Sequence, residues 1–85
     1  MIILYYTEGG GVLDMSLIEI NNNTYYEGMD TNENNIFLYY NGRIIARLNN
    51  HYCICYSVKH IQDIRMWAAS FNIAYIIQSG TYEIL

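Results

Sequence analysis

The stretch NNIFLYYNGRIIARLNN, residues 34–50, decides how this chain is read. At its centre Asn41-Gly42 lies between two apolar runs. An Asn-Gly pair in that setting marks a two-residue type I′ hairpin, because both turn residues must adopt positive φ. The turn predicts Tyr40 opposite Arg43, Tyr39 opposite Ile44, Leu38 opposite Ile45, Phe37 opposite Ala46 and Ile36 opposite Arg47. Side chains alternate between the faces of a strand. Phe37, Tyr39, Ile44, Ala46 and Leu48 therefore form one uncharged face, the expected core side. Ile36, Leu38, Tyr40, Arg43, Ile45 and Arg47 form the other, where Arg43 can stack on Tyr40. That second face suits contact better than solvation.

The doublet Tyr39-Tyr40 has counterparts at Tyr5-Tyr6 and Tyr25-Tyr26. A doublet in a strand must place one ring on each face. The expectation is that one tyrosine of each pair joins the core and the other, Tyr40 or Tyr26, serves a partner.

Outward from the hairpin, residues 2–7 and 12–21 read as strands around a glycine-rich turn at 8–11. Asn21-Asn22-Asn23 is turn chemistry, residues 24–27 form a short return strand, and the polar stretch 28–35 is a loop. Residues 51–56, HYCICY, alternate as a further strand. Ser57 is placed to cap a helix over 58–71, ended by Asn72. Val58, Ile61, Ile64, Ala68 and Phe71 give that helix its apolar stripe, with Trp67 at its edge. Residues 73–78 and 81–85 read as a closing hairpin around Ser79-Gly80. The order predicts a single α+β domain over residues 1–85: an antiparallel sheet of five to seven strands with one amphipathic helix packed on it.

Composition narrows the class. The chain is 53% hydrophobic but only 14% charged, against about 25% charged in a typical soluble domain. So much apolar surface is hard to bury in 85 residues, and exposed apolar surface marks contact sites. Isoleucine outnumbers valine 14 to 2, asparagine reaches 10 and proline is absent, the imprint of AT-rich coding. The same bias should raise lysine, yet Lys59 stands alone. Lysine depletion with tyrosine enrichment is the signature of an interface. The net charge of −4, with four Lys and Arg in all, argues against direct nucleic-acid binding and for a basic partner. No run approaches a membrane span. The N-terminal MIILYY lacks a basic flank and a cleavage site. A cytoplasmic setting with reduced Cys53 and Cys55 is expected.

Motifs for chemistry are weak. His51, Cys53 and Cys55 share a strand face, but one Cys-x-Cys without a second pair is a poor zinc signal, and two small buried hydrophobes is the better reading. Gly9-Gly10-Gly11 lacks the Lys of a phosphate-binding loop. The carboxylates are scattered and no serine lies in a nucleophile elbow. No catalytic residue, metal or cofactor is expected. The expected binding residues are Tyr40, Arg43, Arg47, Tyr26 and Trp67. The functional expectation is a small acidic, non-enzymatic binding protein. A compact, acidic, AT-biased frame is typical of phages and mobile elements. Such proteins often inhibit host proteins stoichiometrically, defence nucleases among them, and the basic partner expected here is the nucleic-acid-binding groove of a host protein. The alternative is a homo-oligomer that binds or sequesters a nucleotide signal, with Arg43 and Arg47 on its phosphates.

Overall fold

The computed structural model describes residues 3–6, 12–29, 34–80 and 82. Among them seven strands form one sheet in sequence order: β1 (Ile3–Tyr6), β2 (Val12–Ile20), β3 (Asn23–Met29), β4 (Ile36–Tyr40), β5 (Arg43–Leu48), β6 (Cys53–Cys55) and β7 (Ile76–Gln78). The helix α1 (Ile61–Ala69) packs on one face, so the fold is α+β. The expected turn at 8–11, residues 30–33 of the expected 28–35 loop and most of the segment 81–85 lie outside the described residues, while Gly28 and Met29 extend the return strand beyond the expected 24–27.

The pairing is antiparallel except at the end, where β7 runs parallel to β6. Of the expected closing hairpin, the second strand at 81–85 lies mostly outside the described residues; the first, β7, is shorter than residues 73–78 and docks beside Cys53–Cys55, with the Cys53 amide donating to the Tyr75 carbonyl at 2.9 Å. A parallel pair needs a crossover, and α1 supplies it. The helix also begins later than expected. Residues Val58–His60 form a 3₁₀ turn, in which the His60 amide bonds the Ser57 carbonyl at 3.0 Å. The Ser57 hydroxyl is engaged by His60 Nδ1 at 2.9 Å and caps no backbone amide. The helix also ends earlier than expected, at Ala69 with Ser70 as its C-cap, and Asn72, at φ 64°, closes the turn that follows, its amide donating to the Ala69 carbonyl at 2.9 Å.

The Asn41-Gly42 turn forms with φ 51° and 78°, and Tyr40 and Tyr39 face Arg43 and Ile44. A second turn of the same kind joins β2 to β3 at Asn21-Asn22, with φ 50° and 68° and no glycine. A Cβ on Gly42 would meet nothing within 4 Å, so substitution there costs only backbone strain. Gly42→Val is expected to lose more than about 1 kcal/mol. A thermal melt checks this, and an unchanged midpoint would contradict it.

Beyond Tyr39 the register differs from the regular one. A bulge places Leu38 opposite Ala46, Phe37 opposite Arg47 and Ile36 opposite Leu48. Ile45 is the extra residue, and it joins Ala46 in the cluster under the helix. The expected core face is therefore split. Phe37, Tyr39 and Ile44 pack with Met15 on the face away from α1. Ala46 and Leu48 pack with Tyr25, Leu38, Cys53, Cys55, Ile64, Trp67 and Ala68 on the helix side. The reason is Arg47. Without the bulge it would share a face with Leu38 and Ile45, beneath the helix, where an uncompensated charge is costly. The one-residue slip carries it to the other side, where its Nε donates to the Tyr56 hydroxyl at 3.3 Å.

Both faces of the sheet thus carry apolar clusters, which is what the doublets serve. Tyr25 and Tyr40 lie on the helix side, Tyr26 and Tyr39 on the other. Tyr25 and Tyr39 are fully buried; Tyr26 and Tyr40 are half-buried. In each of the two described doublets one ring is fully buried, and the other packs half-buried at the margin of the cluster on the opposite face. The side chains of Tyr5 and Tyr6 lie outside the described residues.

Candidate functional site

The helix is seated by a polar seam. Strand alternation points Asn23, Tyr25 and Glu27 toward α1, and Asn21 in the turn extends the row. Asp63 and Trp67, four residues apart, lie on one stripe of the helix and meet them. The Tyr25 hydroxyl donates to Asp63 Oδ2 at 2.5 Å, Asn23 Nδ2 to the same oxygen at 2.9 Å, and Asn21 Nδ2 to Oδ1 at 2.9 Å. The Trp67 indole N–H donates to Glu27 Oε1 at 2.7 Å. Asp63 is only 7% exposed. The Tyr25 hydrogen bond holds its carboxyl below the usual range against burial, with Asn23 and Asn21 adding to the effect. Burial and the Asp63 charge push the Tyr25 hydroxyl upward in return. This seam was missed in the sequence, where Asp63 counted as a solvated residue. Its trace was there: alternating polar residues at 21, 23, 25 and 27 opposite an Asp–Trp pair at helical spacing.

Trp67, expected as a binding residue, is 3% exposed and packs in the helix-side core cluster. The buried stripe of α1 is Asp63, Ile64, Trp67 and Ala68. Val58 and Phe71, assigned to the apolar stripe, are 60% and 37% exposed.

Tyr25 leads from the seam into a cleft. Its ring lies 5.4 Å from that of Tyr40 and meets His60 edge-on at 5.9 Å, while Tyr40 and His60 are 4.5 Å apart. Those rings adjoin a concavity of about 260 Å³ lined by Tyr40, Arg43, Tyr56, Ser57, Lys59 and His60, among others. Three elements build it. The Asn41-Gly42 turn sets Arg43 across from Tyr40. The Tyr56 amide, bonded to the Ile45 carbonyl at 2.8 Å, holds the end of β6 against β5. The 3₁₀ turn then presents Lys59 and His60. Burial holds His60 below its usual value, helped by the Lys59 charge and opposed by Asp63.

Of the expected binding residues, Tyr40 and Arg43 line this cleft. Arg47 lies on the opposite face and touches it only through the Tyr56 hydroxyl. Tyr26 packs against the Met15–Phe37–Tyr39–Ile44 cluster. Ser57, Lys59 and His60 were not singled out, because only the chain reversal after β6 brings them to Arg43. Ser57, His60 and Asp63 are spaced by three, but Asp63 is committed to the seam and acts on His60 through its charge. That arrangement is a structural corner.

Cys53 and Cys55 are buried free thiols, Cys53 pushed up to about 12 by burial, while His51 is exposed on a bend. Among the described residues no three His, Cys, Asp or Glu side chains gather as a metal site, and no helix is long and apolar enough to cross a membrane. No protein-family model, curated protein or solved structure matches the chain.

Proposed function

We propose that the protein is a non-enzymatic binding protein that acts by occupancy, and that the cleft between the Asn41-Gly42 turn and the 3₁₀ turn is its binding site. One observation carries this reading. A chain with four Lys and Arg and two His brings Arg43, Lys59 and His60 to a single concavity walled by aromatic rings. Small-ligand sites are concave, mostly apolar and equipped with a few convergent polar groups. The buried free thiols accord with a cytoplasmic setting.

A second reading, a stoichiometric inhibitor of a host protein, is favoured by exposed apolar side chains. Leu17, Met29, Val58, Met66, Phe71 and Tyr75 are each at least 37% exposed. Met29 and Phe71 line one hollow and Met66 another, the groove over Trp67. A homo-oligomer would cover such side chains equally well.

The test maps amide shifts in labelled protein titrated separately with the small-molecule and the protein fractions of a cell extract. The expected result is shifts at Tyr40, Arg43, Ser57, Lys59 and His60 with the small-molecule fraction. Shifts confined to Met66, Phe71 and Tyr75 with the protein fraction would replace this reading with the second. Turnover of an extract component, abolished by one substitution, would overturn the non-enzymatic assignment.

A further inference from the structure

The chemistry of the cleft narrows its ligand. Arg43 offers a planar fork of donors, Lys59 a mobile point charge and His60 an imidazole, all bordering one space. Tyr40, Tyr56 and Ser57 also line it, the Ser57 hydroxyl bonded to His60 Nδ1 and the Tyr56 hydroxyl to Arg47 Nε. Asn41, Ile44 and Ile45 complete the lining among the described residues. An acidic protein that gathers three of its few cationic and imidazole groups around one hollow favours an anion there.

The number and kind of donors fix the class further. A carboxylate has two oxygens, which one guanidinium satisfies. A phosphate presents three acceptor oxygens and close to two charges, which a guanidinium and an ammonium together can meet. The space of about 260 Å³ is larger than phosphate alone requires, and the apolar side chains Ile44 and Ile45 border the remainder. A nucleic-acid strand is disfavoured, since polymer binding needs a track of cations and Arg47 points to the other face of the sheet.

We infer that the cleft binds a small phosphate monoester, with Arg43 and Lys59 holding the phosphate and the Tyr40–Ile45 wall receiving the organic group. This rests on the reading of the cleft as the binding site. Arg47, expected from the sequence to hold phosphate, has no part in it. His60 adds a donor when protonated. The groups that face it are Tyr25, Tyr40, Ser57, Lys59 and Asp63.

The experiment is a calorimetric titration with adenosine monophosphate, adenosine, inorganic phosphate and a short single-stranded oligonucleotide. Adenosine monophosphate is expected to bind at least about tenfold more tightly than adenosine, the loss of one charge-assisted contact being worth that much or more. Arg43→Gln and Lys59→Gln, both at exposed positions, are expected to weaken it about tenfold each with unchanged melting curves. Arg65→Gln, which removes the same charge from an exposed helix position outside the cleft, should leave affinity within about twofold. Equal affinity for adenosine, or indifference to both cleft variants, would overturn the inference. So would tighter binding of the oligonucleotide with the same loss in Arg65→Gln, which would mark a diffuse polyanion surface. If no phosphate probe binds while an extract still shifts the cleft amides, the phosphate assignment fails and the binding site stands. If the cleft amides do not shift either, both fail.

Discussion

Asp63→Ala is expected to lower stability by about 3 kcal/mol, a fall of roughly 15 °C in melting temperature for a domain of this size. The substitution removes the acceptor of three side-chain donors at once, among them the hydroxyl of fully buried Tyr25. A buried donor left without a partner loses its hydration and gains nothing in return. Asp63→Asn keeps the shape but sets an amide donor against groups that are already donors, so it should recover only part of the loss. Acid supplies an independent check. The native pKa of Asp63 lies below its unfolded value, so the unfolded chain binds the extra proton first. Its contribution is complete above about pH 4 and is lost as pH falls through the lowered native value. Denaturant melts from pH 6 downward should therefore show a steeper acid loss in the wild type than in Asp63→Ala. Equal slopes would mean that the seam does not hold the helix.

Trp67→Ala is expected to cost about 3–5 kcal/mol, as for other large aromatics cut from a core. It empties the middle of the helix-side cluster and strips Glu27 of its indole donor. Trp67→Phe should cost less, since most of the apolar area remains. Neither should alter the affinity of a cleft ligand, because Trp67 does not line the cleft. Chemical denaturation and titration of the same variants measure both effects. A Trp67→Ala protein of native stability with lost binding would restore Trp67 as a contact residue and contradict the packing described above.

These two residues show where sequence reading fails. Apolar periodicity locates a helix face, but it ranks a carboxylate as solvated, and Asp63 is buried because Asn21, Asn23 and Tyr25 meet it with hydrogen-bond donors. Trp67 stood at the edge of the expected stripe. The seam sets Asp63 and Trp67 inward on α1, while Val58, in the 3₁₀ turn before it, and Phe71, beyond its end, lie exposed. Two of the five expected binding residues line the cleft. Tyr40 and Arg43 follow from the turn between them, whereas Ser57, Lys59 and His60 reach the cleft only through the chain reversal after β6.

By itself the sequence determined the local geometry. Asn41-Gly42 dictates a type I′ turn because both residues tolerate positive φ. The alternating runs make strands, and the three- and four-residue spacing makes the helix. The α+β class follows from their order. The tertiary structure alone decided which face each residue serves. A bulge at Ile45 carries Arg47 away from the helix, since the buried side could not compensate its charge. The last strand pairs in parallel with β6, because α1 crosses over the sheet before it. The two described tyrosine doublets each set one ring on either cluster, because both faces of the sheet are covered. Register and covering are long-range facts, set by what each strand meets, and no window along the chain contains them.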